Sequence, residues 1–378
     1  MTPPPFALPD HGGGSLSDVL PAALTALGRP GERPGPDLPP CDRIVVALID
    51  GLGWSALLAH PNEAPFLTSL LATPWSRRIT TVFPSTTPIA LTSLGTGLTP
   101  GEHGITGLLL RLPTGQLVNT LAIPAETDLR ALQPRPTVFE RVSGDGVAVT
   151  VVGPKIFDGN GLSLAGLRGG FYAAAESPGE RVAATAAAVR RGDCALTYVY
   201  YGELDATGHR LGCSGKAWRA ELTHVDRLVQ QLAAALPAGA VLAVTADHGM
   251  LDIPVANRWD VATTPALDAG VEAVSGDLRG AQVHARPGAG ADVLESWRET
   301  LGDAFWVVPQ DEAVATGLYG PAVGDDVRAR LGDVLAVPVR DHWVGDSRAL
   351  PPAILQLVGM HGGLSDAELG IPLLVHQA

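Results

Sequence analysis

Continuous runs of β-branched and aliphatic residues recur along this chain, separated by stretches whose apolar positions repeat with a helical period. Arg43–Ile49, Val147–Val152, Ala195–Tyr200 and Val241–Val244 are runs of the first kind and predict strands buried on both faces of a parallel sheet. Before the last of them, Trp218, Leu222, Val225, Val229, Leu232 and Leu236 alternate spacings of four and three, which predicts one long helix over Ala217–Leu236. Pro237-Ala238-Gly239 stops that helix and turns the chain into the next strand. Strand and helix alternation of this type predicts an α/β fold, a doubly wound, mostly parallel sheet with helices on both faces.

The pattern changes in two places. Residues 1–40 are rich in Pro and Gly and hold one predicted helix, Ser15–Leu27, so they read as an arm lying on the core or a leader before it. Residues 251–345 carry shorter pieces, A-Q-V-H-A-R from Ala281 and F-W-V-V from Phe305, around a helical stretch Ala291–Thr300. They predict a smaller α+β cap inserted into the main unit, which then comprises 41–250 and 346–378.

Composition narrows the classes. With 46% hydrophobic and 17% charged residues the chain is that of a packed globular protein. A net charge of −13 without Lys/Arg clusters argues against a nucleic-acid-binding surface. It does not exclude small anionic substrates, because bound dications reverse the potential locally. Cys41, Cys194 and Cys213 are odd in number and scattered, which is no disulfide framework; Cys194 reads as a small core residue and Cys213 as an exposed loop thiol. The N-terminus lacks a basic region and an apolar run, and Leu232–Ala246 is broken by Pro237 and Gly239. The expectation is a cytoplasmic protein with no membrane partner.

Residues of ligand type then stand out by position. Asp50 ends the first apolar run in I-D-G, Asp247 and His248 follow the fourth in T-A-D-H-G, Asp205 and His209 lie four apart in L-D-A-T-G-H, and His361 sits in M-H-G-G. Ligands of open α/β sheets collect outside the C-terminal strand ends, where these residues are predicted to be. Singly each has a structural reading: a turn, a loop cap, a hydrogen-bonded pair. Together three carboxylates and three imidazoles form a ligand set for two divalent metal ions. In F-P-S-T-T-P, Thr87 is predicted to cap a helix whose first position is Pro88. A hydroxyl at a helix N-terminus sits where an alkoxide and a phosphoryl anion are both favoured, so one residue can cap and attack.

The ordered set I-D-G, F-P-S-T-T-P, L-G-T-G-L-T-P-G-E-H-G-I, L-D-A-T-G-H, T-A-D-H-G and M-H-G-G resembles the alkaline phosphatase superfamily. Within it the chain is most similar to the type I phosphodiesterase and nucleotide pyrophosphatase family, over about Asp42–Val375. The resemblance implies two zinc ions, one on Asp50, Asp247 and His248, the other on Asp205, His209 and His361. It implies Thr87 as nucleophile, with Thr86 as the one-residue alternative, and hydrolysis of a small phosphodiester or pyrophosphate through a phosphothreonine intermediate. Two departures stand out. The family's phosphoryl-holding Asn has no amide counterpart in His103–Leu110, and the matching motifs contain no Arg to clamp a dianionic monoester. The alternatives are a phosphomonoesterase, phosphonate hydrolase or sulfatase-like enzyme of the same superfamily, and a metal-stabilised binder of a phosphorylated ligand without turnover. Among other residues, His103 reads as a structural hydrogen-bonding group and His224 as a surface residue. Lys155 is either solvated or turned to an anionic substrate, and Tyr201 and Glu203 are candidate pocket-lining residues on a strand-end loop.

Overall fold

A seven-stranded sheet runs through the larger part of the computed structural model, which describes residues 4–31, 33–124 and 127–378. Its order is Arg77–Thr80, Gly370–Gln377, Val241–Thr245, Arg43–Ile49, Cys194–Tyr201, Val147–Gly153, Phe171–Ala174. The five strands from Val241–Thr245 to Phe171–Ala174 are parallel, and Gly370–Gln377 runs antiparallel to both of its neighbours. Helices flank this sheet, so the α/β doubly wound architecture expected from the periodicity is the one the chain adopts. The central strand explains the apolar runs: every residue from Ile44 to Ile49 is at most 1% exposed, as a strand covered on both faces requires. The long helix spans Lys216–Ala235 and buries Trp218, Leu222, Val225, Val229 and Leu232, the predicted apolar stripe.

The N-terminal segment lies on the core. Leu16, Val19, Leu20 and Leu24, in a 3-10 turn at Leu16–Asp18 and a helix at Val19–Ala26, belong to the core of the large sheet. Met1–Pro3 and Glu32 of that segment lie outside the described residues. Further upstream, Phe6 meets Trp306 edge-on with ring centroids 5.6 Å apart.

A second sheet of six antiparallel strands has the order Phe305–Pro309, Val334–Pro338, Gly280–Ala285, Val271–Asp277, Leu109–Arg111, Leu117–Asn119. Four of these strands come from 251–345. The hairpin Leu109–Asn119 comes from the stretch that sequence reading placed in the main unit; its strands are three residues long, too short for periodicity to register. Helix Gly290–Leu301 packs on this sheet through Val293, Trp297 and Leu301. Cys213, expected as an exposed thiol, is half-buried, and burial pushes its pKa up.

Between the third and fourth strands of that order, the turn after Val271–Asp277 carries Asp277 and Arg279 onto the main unit. Arg279 and Glu368, both 0% exposed, form a bidentate pair with N–O distances of 2.6 and 2.7 Å. Glu368 also accepts from the Gly363 amide at 2.8 Å, so this one carboxylate ties the turn to the segment that follows His361. Among the described residues, no helix is long and apolar enough to cross a membrane.

Candidate active site

All six residues of ligand type converge at the C-terminal edge of the large sheet. Asp50 follows the strand Arg43–Ile49, and Gly51 after it adopts φ +76°, where a Cβ would stand 3.1 Å from the Asp205 backbone. Glycine is what lets the strand end and the Asp205 helix approach so closely. Asp205 and His209 stand on the helix Glu203–Leu211, one turn apart on one face, rather than on a strand-end loop. Asp247 and His248 leave the strand Val241–Thr245 and are 0% exposed. His361 follows the short strand Gly359–Met360.

Backbone carbonyls fix the imidazoles. Nδ1–H of His248 donates to Gly249 O at 3.2 Å, that of His209 to Gly359 O at 2.7 Å, and that of His361 to Ser85 O at 2.9 Å. All three Nε2 lone pairs therefore face one another and the carboxylates. Nε2 of His209 and Nε2 of His361 are 3.1 Å apart with no proton left to share. Nε2 of His248 lies 3.5 Å from Asp50 Oδ1 and 3.3 Å from Asp247 Oδ2, and Nε2 of His209 3.4 Å from Asp205 Oδ1. The rings of His248 and His361 stack with centroids 3.5 Å apart.

The carboxylates are anchored on one side only. Asp50 Oδ2 accepts from the Tyr200 hydroxyl at 2.6 Å, and Asp247 Oδ1 from the Gly51 and His248 amides at 3.1 and 3.0 Å. Asp50 Oδ1, Asp247 Oδ2 and Asp205 Oδ1 are buried without a partner. Burial raises the pKa of all three acids, and repulsion adds to it, Asp247 acting on Asp50, Asp50 on Asp205 and Asp205 on Asp247. Burial also pushes His248 down to about 3, His209 to about 4, and His361 well below its ordinary value. Neutral imidazoles with inward lone pairs and three orphaned carboxylate oxygens are a donor set that only cations satisfy. Donor atoms around a tetrahedral ion at zinc distances stand about 3.3 Å apart, close to the separations found here. Ligand atoms within 4.8 Å of one another form two groups, Asp50 with Asp247 and His248, and Asp205 with His248 and His361. His209 joins the second group through the 3.1 and 3.4 Å separations given above.

The two threonines face different partners. The helix spans Thr87–Thr96, with Thr86 as N-cap at φ −139° and ψ 148°, Thr87 as first helical residue and Pro88 second. The expected cap is thus displaced by one residue, and the Thr86 side chain makes no capping bond. Thr87 Oγ1 lies 3.2 Å from His248 Nε2 and is a hydrogen-bond donor to Asp50. Thr86 is 2% exposed and its hydroxyl serves Asp277 instead. Ser85, just upstream, donates to Gly363 O at 2.7 Å and accepts from the Gly362 amide at 3.1 Å, pinning this loop to the His361 segment.

Asp277 escaped the sequence reading, since nothing local marks it. It arrives from the second sheet, 8% exposed, and accepts from the Arg279 amide at 3.2 Å. Burial pushes its pKa up to about 7, with Glu368 adding to the effect. Gly362, at φ +117°, makes room for it, because a Cβ there would fall 2.1 Å from Asp277 Oδ1. Leu108, Leu121, Leu278, Leu357 and Met360 complete the cavity over the cluster, which has no Lys, Arg, Asn or Gln in its described lining.

Other expectations sort themselves by geometry. Tyr201 and Glu203 face away, Tyr201 donating to Glu221 at 2.5 Å and Glu203 pairing with Arg181 at 2.7 Å. Tyr200, one residue earlier, lines the cavity, as side-chain alternation along a strand dictates. Lys155 is exposed and paired with Asp158. His103 donates to Ser93 Oγ at 2.8 Å while its Nδ1 accepts from the Ile105 amide, a structural arrangement, and His224 lies exposed on the long helix.

Comparison with known proteins places this geometry. Murine ectonucleotide pyrophosphatase / phosphodiesterase 5 superposes with a TM-score of 0.70 at 20% identity, covering 88% of each chain. A structure of an inactive form of that murine protein in complex with AMP matches with a TM-score of 0.69. Phosphonoacetate hydrolase of Sinorhizobium meliloti 1021 matches with a TM-score of 0.67 at 20% identity over 89% of this chain and 90% of that one. In sequence, a phosphopentomutase of Anaeromyxobacter dehalogenans is 39% identical over 119 residues, which are 31% of this chain and 28% of that protein. Residues 44–364 match the family described as type I phosphodiesterase / nucleotide pyrophosphatase. With a match across most of its length, the chain belongs to the type I phosphodiesterase / nucleotide pyrophosphatase family.

Proposed function

We propose that the protein is a two-metal hydrolase of phosphodiester or pyrophosphate bonds in small substrates, acting through covalent attack by Thr87. The observation that carries this reading is Thr87 Oγ1, at a helix N-terminus, 3.2 Å from His248 Nε2 and bonded to Asp50 beside three orphaned carboxylate oxygens. Asp50, Asp247 and His248 would hold one ion and Asp205, His209 and His361 the other, with zinc suited to the mixed N and O donors. Such a pair of ions supplies Lewis acidity, easing loss of the Thr87 proton and neutralising charge on the phosphoryl oxygens.

The rest falls to the chain. The Thr87 oxygen forms a bond to phosphorus as the bond to the leaving oxygen breaks, giving a phosphothreonine. Water then forms a new bond to phosphorus, and the Thr87 oxygen is released and takes up a proton. Pro88 has no N–H, so the amide that the helix end presents beside the reacting group is that of Thr87, where the macrodipole favours negative charge. The Tyr200 hydroxyl holds Asp50, and the three carbonyl bonds hold the imidazoles.

A cavity whose described lining holds no Lys or Arg favours a diester over a dianionic monoester, and likewise over a carboxylated phosphonate, since each extra negative charge would lack a described side-chain partner. The test compares bis(p-nitrophenyl) phosphate with p-nitrophenyl phosphate, alongside elemental analysis of the purified protein. Thr87→Ala is expected to lose at least about 10³-fold in kcat with the fold and metal content kept, and Thr86→Ala far less. Full turnover in Thr87→Ala with loss in Thr86→Ala would move the nucleophile by one residue, and full turnover in both would remove the covalent mechanism.

A further inference from the structure

Asp277 carries a charge that its structural duties do not need. It opens the turn between the strands Val271–Asp277 and Gly280–Ala285, where its carboxyl accepts from the Arg279 amide at 3.2 Å and from the Thr86 hydroxyl. The side-chain oxygen of an asparagine would accept both bonds, so the turn and the loop ask for an acceptor and not for an anion. Arg279, two residues on, is the cation at hand, yet its guanidinium is taken up by Glu368 and by the carbonyls of Arg340 and His342. The carboxylate lines the cavity over the ligand cluster, 8% exposed, and meets no Lys, Arg, Asn or Gln in the described lining.

Its place decides which part of a substrate it meets. The carboxylate rests against Gly362, directly after His361, whereas Thr87 Oγ1 lies at His248 and Asp50. In an in-line displacement the leaving oxygen departs opposite the attacking one, so it faces the group of Asp205, His209 and His361. There the metal cavity continues past Leu108, Asp277 and Leu278 into a narrower one of about 300 Å³ including its mouth. Its walls are apolar, from Leu109, Val274, Val344 and Leu350, and its other acid, Asp346, is paired with Arg348 at 2.7 Å. Asp277 thus stands without a cationic partner at the neck between the reacting centre and an apolar recess.

We propose that Asp277 is a specificity-determining residue whose carboxylate selects the leaving alcohol by charge, taking a cationic or uncharged one and rejecting an anionic one. The assignment rests on the two-metal hydrolase reading with Thr87 as nucleophile. Charge balance gives the reason. Two dications against the carboxylates of Asp50, Asp205 and Asp247 leave one positive charge, and a phosphodiester anion cancels it. Asp277 is then the surplus charge in a space walled by hydrocarbon, where an ammonium group is attracted, a neutral alcohol is accepted and a second anion is repelled. Of the two bond types in the proposed function this favours the phosphodiester, since cleaving a pyrophosphate bond expels a phosphate anion beside Asp277.

The test uses the metal-loaded full chain at about pH 8.5, where a carboxyl is ionised, and methyl phosphodiesters that differ only in the leaving phenol. One is p-nitrophenol carrying an ortho trimethylammoniomethyl group, the other p-nitrophenol carrying an ortho sulfomethyl group. Their intrinsic reactivities cancel when each ester is compared between wild type and variant. The ratio of kcat/KM for the cationic over the anionic ester is expected to fall at least about tenfold in Asp277→Asn, and likewise in Asp277→Ser, an independent variant that also keeps an acceptor. Metal content reports that both fold. A smaller change in both variants overturns the assignment and leaves the hydrolase reading standing. So does an equal fall when the charges sit on the retained ester, in trimethylammonioethyl and sulfoethyl p-nitrophenyl phosphates. If wild type turns over no ester, the hydrolase reading fails, and calorimetric binding of the methyl esters of trimethylammonioethylphosphonate and sulfoethylphosphonate then decides the charge selection by itself. A cationic preference lost in Asp277→Asn supports it, and the same preference in both proteins overturns it.

Discussion

Two cavities share the wall formed by Thr87 and Tyr200, and they are opposites in how their polar groups are left. Over the ligand cluster, three buried carboxylate oxygens and three imidazole lone pairs point at one another, a concentration of acceptors that folding alone does not relieve. Beyond Thr87, the hydrocarbon walls of Leu91, Val151, Leu162 and Leu167 surround a single unsatisfied hydroxyl, that of Tyr198. On the proposed function the first holds cations and carries the chemistry, whereas the second offers only shape and apolar contact. In the first, the unsatisfied atoms are what point to the missing partner.

The cation cavity is roofed from the second sheet, and that roof offers the largest effect. Arg279 and Glu368 are fully buried and bidentate, and Glu368 is held below its usual range by Arg279 and by the Ser365 and Gly363 bonds despite its burial. Glu368→Gln leaves the guanidinium charge buried and uncompensated, so a loss of about 3–5 kcal/mol in urea denaturation is expected. Replacing both partners with Met should recover most of it. Stability lost equally in single and double variants would mean the pair acts only through volume. Because the same turn carries Asp277, the single variant should also slow turnover of bis(p-nitrophenyl) phosphate, an effect that enters through the cation cavity alone.

The next effect is a pH slope, seen with metals removed by a chelator. Above about pH 7.5 the histidines are neutral in folded and unfolded chains and drop out of the balance. Asp50 and Asp205, raised far by burial, keep their protons in the fold but lose them when unfolded. The folded state then binds more protons, so stability falls as pH rises, by about 1.4 kcal/mol per pH unit for each proton retained. Asp247 and Asp277, pushed up to about 7, contribute little in that window. Thermal midpoints of the chelated protein should fall between about pH 7.5 and 8.5, and added zinc should flatten the curve. A flat profile without metal would break the comparison at its polar end.

The polar cavity was open to sequence reading and the apolar one was not, for a physical reason. The proposed ligands are all Asp or His, and Asp50, Asp205, Asp247 and His248 sit in short segments with Gly nearby, so each carries a local signature. Strands such as Arg43–Ile49, buried on both faces, are equally legible because packing demands an unbroken apolar run. Asp277 has no such signature: its role follows from a turn that only tertiary docking brings beside Thr86. The apolar cavity gathers residues from the nucleophile helix and from segments near positions 121, 151, 162 and 198, each indistinguishable in sequence from ordinary core. Thr86 and Thr87 differ by one helical position, a resolution that propensity does not reach.

Tyr198, Tyr200 and Tyr201 give the smallest and sharpest test, since one strand deals them to different surroundings. Alternation puts Tyr198 and Tyr200 on the face toward Thr87 and Tyr201 on the other, where it donates to Glu221. Tyr200 belongs to both cavities: its hydroxyl donates to Asp50 at 2.6 Å and its ring meets Phe157 edge-on at 5.7 Å. Tyr200→Phe removes the first contact and keeps the second. It is expected to weaken metal binding about tenfold, as loss of a group orienting a ligand carboxylate does. Tyr198→Phe should leave metal affinity alone, because its hydroxyl bonds no protein group and none of the ligand carboxylates. Tyr201→Phe should leave it alone as well. Metal titrations on these three variants read the two cavities separately, and a Tyr198→Phe protein that lost metal affinity while Tyr200→Phe kept it would show that the wall between them is drawn in the wrong place.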